Sequence, residues 1–233
     1  MVTLTYQERF KTLNGVFDSF TDRTLFSLQG KGAFDELVSP LKVGKESNVF
    51  TAVKDKKKVI VKIYRMQNCD FNKMYDYIKY DTRYLGLKGK KRLIIFSWCQ
   101  REFRNLLKAR EAGVKAPTPI AFKDNVLVME CIGNRNPAPK LKDQYPKDPD
   151  KFYNLLITHV RRFYKAGFVH GDLSEFNILN YRDFPVLIDF SQASPLKSMN
   201  SQELLERDIK NINRFFSRIG AKIKDDLKGF ITS

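Results

Sequence analysis

The sequence predicts an α+β chain of two lobes: a small antiparallel sheet carrying one main helix, then a reduced, mainly helical half, with extra helices ahead of the sheet. Three observations predict it. β-Branched runs at 41–43, 48–53, 59–64 and 120–129 are separated by turn-forming residues, and one long stretch of helical period interrupts them. Pro137, Pro139, Pro146 and Pro149 then mark a crossing beyond which strand-like runs become short. The 233 residues, 42% of them hydrophobic and 13% aromatic, suffice for a full core and argue against disorder. The expected division is a helical extension over 1–36, a first lobe over 37–132 and a second over 133–233, together one domain.

Each element has its own signal. Phe10, Leu13, Val16, Phe17 and Phe20 recur at helical spacing, and Thr24 to Leu28 continue the pattern to a stop at Gly30. From Leu37 the period becomes that of strands. Leu41–Val43 and Asn48–Val53 join through Gly44, Lys54-Asp55-Lys56-Lys57 turns the chain, and Val59–Tyr64 returns as a third strand. Residues 65–91 lack periodicity and are expected to form a mobile insertion. A helix follows from Lys91 to Ala112, with Phe96, Cys99, Phe103 and Leu106 as its core stripe and Gly113 as its stop. Asp124-Asn125 turns a hairpin between Ile120–Phe122 and Val126–Met129. Asp148-Pro149 starts a helix that should reach Lys165 and stop at Gly167. The last expected helix covers Gln202–Ile219, with Leu205, Ile209, Ile212, Phe216 and Ile219 inward.

Composition narrows the setting. No run approaches the roughly 20 apolar residues of a membrane span, and Met1 to Glu8 do not read as a signal peptide. Cys69, Cys99 and Cys131 form no CxxC pair, which argues for a reducing, cytoplasmic location and against a disulfide framework. Lys and Arg outnumber Asp and Glu by 42 to 26, a formal charge of +16 that makes a polyanion an expected partner.

The chemistry concentrates in His170-Gly171-Asp172-Leu173-Ser174-Glu175-Phe176-Asn177 and Val186-Leu187-Ile188-Asp189. Asp172 to Asn177 is a step of five and Asn177 to Asp189 a step of twelve. That order suits phosphoryl transfer: Asp172 for the proton of the attacking hydroxyl, Asn177 and Asp189 as oxygen ligands of a divalent cation. Such a cation would also keep both aspartates ionised. A cation must hold the nucleotide phosphates, and Lys62 in an apolar strand is the candidate, with Glu102 of the long helix as its partner. An exposed Glu102 paired with Arg101 or Arg104, and a Lys62 that merely snorkels, are the plainer readings. Gly44-Lys45-Glu46-Ser47 is a weak phosphate-loop signal, with a single glycine. His170 could orient the catalytic segment or simply fill the core.

Together these residues resemble the RIO family of atypical serine/threonine protein kinases. Gly44-Lys45-Glu46-Ser47-Asn48-Val49-Phe50, Val61-Lys62-Ile63-Tyr64-Arg65, Glu102-Phe103-Arg104-Asn105-Leu106, the His170–Asn177 segment and Ile188-Asp189-Phe190-Ser191-Gln192 follow its motifs in order. Cys69 to Met74 and Arg110 to Val114 resemble the first subfamily, in a minimal archaeal-type form. The resemblance implies a bilobal protein-kinase-like fold that binds ATP with Mg²⁺ or Mn²⁺. It places ATP against Val43, Gly44, Lys45, Glu46, Ser47, Val49, Lys62 and Glu102, and adenine against the backbone of Glu130 to Ile132. It makes Asp172 catalytic, gives Asn177 and Asp189 the metal, and lets Asp189 accept the phosphoryl group as an acyl phosphate. It implies that Asp208 braces the catalytic loop, that autophosphorylation occurs, and that the partner is a maturing small ribosomal subunit, protein and rRNA.

Two departures stand out. Lys42-Val43 occupies the place where the first subfamily usually has Ser-Thr, and Ser191 that of the glycine in the kinase Asp-Phe-Gly. With 44 residues after Asp189 and no Ala-Pro-Glu, little machinery for choosing a peptide is expected. A small-molecule phosphotransferase of the aminoglycoside or choline kinase type, and a nucleotide-switched ribosome-binding scaffold, are the alternatives.

Overall fold

Val59, Val61 and Ile63 on one side of a strand, and Ile60, Lys62 and Tyr64 on the other, set the architecture of the first half. The computed structural model describes residues 17–67, 69–81, 84 and 86–233, so the helical signal at Phe10, Leu13 and Val16 lies outside the described residues. Strands β1 (Glu36–Val43), β2 (Ser47–Lys54), β3 (Lys57–Tyr64), β4 (Pro119–Lys123) and β5 (Val126–Glu130) form one antiparallel sheet in the order β1-β2-β3-β5-β4. The β2–β3 turn has positive φ at Asp55 and Lys56, the primed geometry that matches the twist of a hairpin. Edge strand β1 is broken by register shifts around Pro40, where a missing N–H does no harm.

The alternation on β3 selects what packs on each face. Val59, Val61 and Ile63 join Val126 and Val128 against Leu25 and Leu28 of helix α1 (Ser19–Gly30). Asp18 caps α1 by accepting the N–H groups of Phe20 and Thr21 at 3.0 Å each. The buried Asn125 side chain ties this helix to the sheet, donating to Thr21 Oγ1 at 3.0 Å and to the Tyr64 carbonyl at 2.8 Å.

The opposite face receives helix α3 (Lys91–Glu111), whose buried side carries Ile94, Ile95, Trp98, Cys99 and Leu106. This corrects part of the expected stripe: Cys99 and Leu106 are buried, whereas Phe96 and Phe103 lie half-buried at its flank, on Phe20 and Phe122. The helix is turned so that Arg101, Glu102 and Asn105 also face inward. A second correction concerns residues 65–91. Within them lies helix α2 (Phe71–Ile78), capped by Asp70 on the Lys73 N–H at 2.9 Å, with Met74 and Ile78 fully buried. Two apolar contacts one turn apart are too few to show a period in sequence.

In the second half, Asp148 caps helix α4 (Pro149–Lys165) through the Lys151 N–H at 2.9 Å. Two small ribbons follow, β6 (Phe168–Val169) with β9 (Ser194–Pro195), and β7 (Ile178–Tyr181) with β8 (Phe184–Leu187). Helices α5 (Ser201–Arg218) and α6 (Leu227–Thr232) close the chain. On α5, Leu204, Leu205, Asp208, Ile212, Phe215 and Phe216 are buried, while Ile209 and Ile219 are half-buried. The larger core runs unbroken from Tyr64 and Leu127 through Trp98 and Leu106 to Leu156, Phe190 and Phe216. Among the described residues no helix is long and apolar enough to cross a membrane.

Candidate active site

Register carries Lys62 into the cleft. It pairs with Val49 on β2 and Leu127 on β5, so the three side chains share the face that looks toward α3. Its Nζ lies 2.9 Å from Glu102 and 2.9 Å from Asp189 Oδ1, joining the sheet, the helix and the end of β8. The expected pairing with Glu102 is present, and its carboxylate is turned inward rather than toward Arg104. The Tyr64 hydroxyl, two residues along the strand, donates to the second oxygen of Glu102. Burial opposes the Lys62 charge, but Asp189 and Glu102 together hold its pKa above the usual lysine value. Burial raises Glu102, only partly offset by Lys62. Burial works against Asp189 too, yet the Lys62 ammonium and the Ser191 hydroxyl hold it well below the usual carboxylate range.

Asp189 sits in the left-handed region at φ 63, at the head of a short 3₁₀ turn, Phe190–Gln192. Ser191 Oγ donates to Asp189 Oδ1 at 2.8 Å. The serine in the glycine's place therefore helps fix the carboxylate it follows.

The catalytic segment is fastened from several sides. Asn177 Nδ2 donates to the Asp172 carbonyl at 2.8 Å and to Asp172 Oδ2 at 2.9 Å, and the Ile188 N–H donates to the Asn177 carbonyl at 3.0 Å. Asp172, Asn177 and Asp189 thus meet although a hairpin separates them in sequence. His170 Nε2 lies 3.1 Å from the Ile188 carbonyl; burial lowers its pKa to about 4, so the neutral ring donates there. Asp208 accepts the N–H groups of Gly171 at 2.7 Å and Leu173 at 2.8 Å. Gly171 has φ 77, and a Cβ there would meet the Gln192 carbonyl at 2.9 Å, so the turn requires glycine. Arg207 bonds the Gly171 carbonyl and reaches the Tyr77 hydroxyl of α2 at 3.1 Å. Burial and the neighbouring Asp189 raise the Asp172 carboxyl.

Sequence reasoning missed two supports. Arg101, fully buried, donates to the Ala193 carbonyl at 3.0 Å and Ser194 Oγ at 2.7 Å; Asn105 Nδ2 donates to the carbonyls of Phe190 at 2.9 Å and Ala193 at 2.8 Å. Both flank Glu102 at helical spacing beside Trp98 and Cys99, a signal available in the sequence.

The remaining candidates lie on and around the β1–β2 turn and at the end of β5. Residues 44–47 form a tight turn, with the Gly44 N–H donating to the Ser47 carbonyl at 3.1 Å. Arg65 secures it, its N–H on the Glu46 carbonyl at 3.0 Å and its guanidinium on the Gly44 carbonyl at 3.3 Å. Lys45 and Val43 are exposed, and Val49 is half-buried. The Glu130 side chain points to Thr118, accepting its N–H at 3.0 Å and hydroxyl at 2.7 Å, and the Glu130 N–H donates to the Thr118 carbonyl at 2.8 Å.

The donor set fits a hard divalent cation. Asn177 uses its Nδ2 on Asp172, which leaves Oδ1 as an oxygen ligand, and Lys62 and Ser191 both occupy Oδ1 of Asp189, which leaves Oδ2. Among the described residues there is no cluster of three or more His, Cys, Asp or Glu side chains for a metal. One carboxylate and one amide are what Mg²⁺ takes when phosphates and water complete its shell.

Residues 48–228 match the RIO1 family, described as the RIO domain. The chain belongs to the RIO family. It is 39% identical over 228 residues to the RIO-type serine/threonine-protein kinase Rio1 of Haloferax volcanii, covering 97% of this chain and 79% of that one. The kinase of the same name from Methanocaldococcus jannaschii is 43% identical over 215 residues, covering 91% of this chain and 74% of that protein. The fold is that of the Rio2 kinase from Chaetomium thermophilum in a complex with ADP/Mg²⁺ and phosphoaspartate, with TM-score 0.71 and 26% identity over 90% of this chain and 66% of that one. The RIO domain is a kinase domain, and this chain carries it on an α+β, protein-kinase-like scaffold, the fold that the resemblance implies.

Proposed function

We propose that the chain transfers the γ-phosphoryl group of ATP, as an atypical serine/threonine kinase and ATPase acting on maturing small ribosomal subunits. The observation that carries the reading is Lys62 held at 2.9 Å by both Glu102 and Asp189, beside an Asp172–Asn177 pair. Lys62 would hold the α- and β-phosphates, under the turn of residues 44–47 and with Val43 and Val49 near the base. The backbone of Glu130 to Ile132 would meet adenine. Asn177 and Asp189 would hold Mg²⁺ or Mn²⁺, which supplies charge neutralisation between the β- and γ-phosphates. Asp172, its carboxyl raised by burial, accepts the proton of an attacking hydroxyl. Alternatively, a carboxylate oxygen of Asp189 attacks the γ-phosphorus as the bond to the ADP oxygen breaks, forming an acyl phosphate that water or a protein hydroxyl later takes. The phosphoaspartate in the Chaetomium thermophilum complex supports the second route. The +16 charge supports an rRNA-containing partner, and the three cysteines without a CxxC pair support a reducing, cytoplasmic location.

The test is ATP turnover with Mg²⁺, with and without small-subunit precursor particles, in the wild type, Lys62→Met and Asp189→Asn. Turnover stimulated by particles and reduced at least about a hundredfold in both variants is expected. Phosphate bound to the protein should be released by hydroxylamine and be absent from Asp189→Asn. Unchanged turnover in both variants refutes the reading; ATP binding without turnover moves the function to a nucleotide-switched scaffold.

A further inference from the structure

Of the five aromatic side chains that stand out as exposed among the described residues, three lie in the catalytic loop, on the hairpin that follows it or on the segment hydrogen-bonded to both: Phe176 at 52%, Phe184 at 53% and Tyr145 at 53%. Phe176 directly precedes Asn177. Hydrogen bonds stitch their segments into one surface. The Leu141 N–H donates to the Ile178 carbonyl at 2.8 Å and the Lys142 N–H to the Glu175 carbonyl at 3.1 Å. Asn180 Nδ2 reaches the Gln144 carbonyl at 3.3 Å, and the Lys147 N–H reaches Asp183 Oδ1 at 3.1 Å. Tyr145 stands edge-on to the buried Phe215 ring at 5.7 Å, which fixes its orientation.

One of the three exposed rings has a cation beside it, and two neighbouring rings carry others. Lys142 Nζ lies 5.7 Å from the Phe176 centroid, the Arg218 guanidinium 5.3 Å from Phe215, and Arg182 5.2 Å from the Tyr181 ring. The carboxylates nearby are engaged: Asp143 by Lys142 at 2.7 Å, Asp183 by the Lys147 N–H, and Glu175 by Arg218 at 3.8 Å. A protein gains nothing for its own core from three rings left half in water. Flat π-faces interleaved with cations are what successive bases and phosphates of a single strand require. A peptide added as a strand would need free main-chain N–H groups to pair with, and along 139–142 those of Leu141 and Lys142 are already spent on 175–178.

We propose that this surface, Tyr145, Phe176 and Phe184 with Lys142, Arg182 and Arg218, binds single-stranded RNA beside the catalytic loop. The choice of RNA over DNA rests on the ribosomal-particle reading above; the base-stacking surface does not.

The test is fluorescence anisotropy with a labelled, unstructured RNA of about twelve nucleotides, a length spanning one such surface, without ATP. Tyr145→Ala/Phe184→Ala should weaken binding about tenfold or more. Lys142→Ala/Arg218→Ala should lower the slope of log affinity against log salt by about one to two. A duplex of the same length should be indifferent to the aromatic variant, and Asp189→Asn should bind RNA like the wild type even where turnover is lost. Tyr145→Leu/Phe184→Leu keeps the apolar area without the π-faces and guards against misfolding. Wild-type RNA affinity in a leucine or alanine variant of unchanged melting temperature overturns the proposal. A raised KM for a serine-containing acceptor peptide with RNA affinity intact also overturns it, assigning the face to a protein acceptor.

Discussion

Tyr64 shows how much a single hydroxyl controls. Its O–H donates to Glu102 Oε2, an oxygen that Lys62 Nζ also approaches at 2.9 Å, in a place closed to solvent. Tyr64→Phe removes that donor and leaves the oxygen to Lys62 alone, a lost hydrogen bond to a charged group worth about 1.5–3 kcal/mol. The expected result is a loss of about tenfold in kcat/KM for ATP and a lower melting temperature, read by turnover and calorimetry. Equal values in both proteins would show that Lys62 alone sets the carboxylate. At this scale the sequence was informative wherever a residue's type contradicted its pattern: Lys62 inside an apolar strand, Asp189 at the end of one. Arg101 and Asn105 escaped notice because a polar residue on a basic helix reads as solvated until its partners across the chain are known.

Elements differ in how they announce themselves. Asp148-Pro149 and the Asp55-Lys56 turn were legible because one residue supplies the geometry by itself. Helix α2 and the two-residue strands β6 and β9 were not, since their pairing depends on tertiary neighbours. Asp148→Ala removes the α4 cap, worth about 1 kcal/mol, and should lower the melting temperature by about 2–4 °C. No shift would show that Pro149 and Asp150 suffice to start the helix. Helix α2 reaches the catalytic loop through Tyr77 and Arg207, and its own Tyr77 carbonyl accepts from Arg101 at 3.0 Å. Arg207→Ala should speed amide exchange across 71–78 and lower turnover about tenfold, whereas Tyr77→Phe should change exchange more than turnover. Exchange that stays the same in both would show α2 to be held by Met74 and Ile78 alone.

The whole molecule inherits a pH response from its buried histidines. Burial, with Arg162 and Lys115 nearby, lowers the His159 pKa from 6.5 to about 4. The unfolded chain then binds the extra proton first. The contribution is complete above pH 6.5 and is lost as pH falls toward 4. Asp208, raised by burial to about 7, acts in the opposite sense, its contribution being lost as pH rises to that value. Comparison with His159→Leu isolates the histidine: between about pH 7 and pH 4.5 the variant's melting temperature should fall less than the wild type's. Parallel falls would contradict the assignment. Helix α3 has a consequence for control of the enzyme. Protein kinases are commonly switched by displacing the helix that bears the lysine's glutamate. Here the same helix face holds Glu102 on Lys62 and Tyr64, and Arg101 and Asn105 on the carbonyls after Asp189. Moving it outward would strand several buried donors and a charge at once, about 1–3 kcal/mol for each group left unsatisfied. An off-state made that way would be costly for this domain, so control of what enters the cleft is the cheaper means of regulating it.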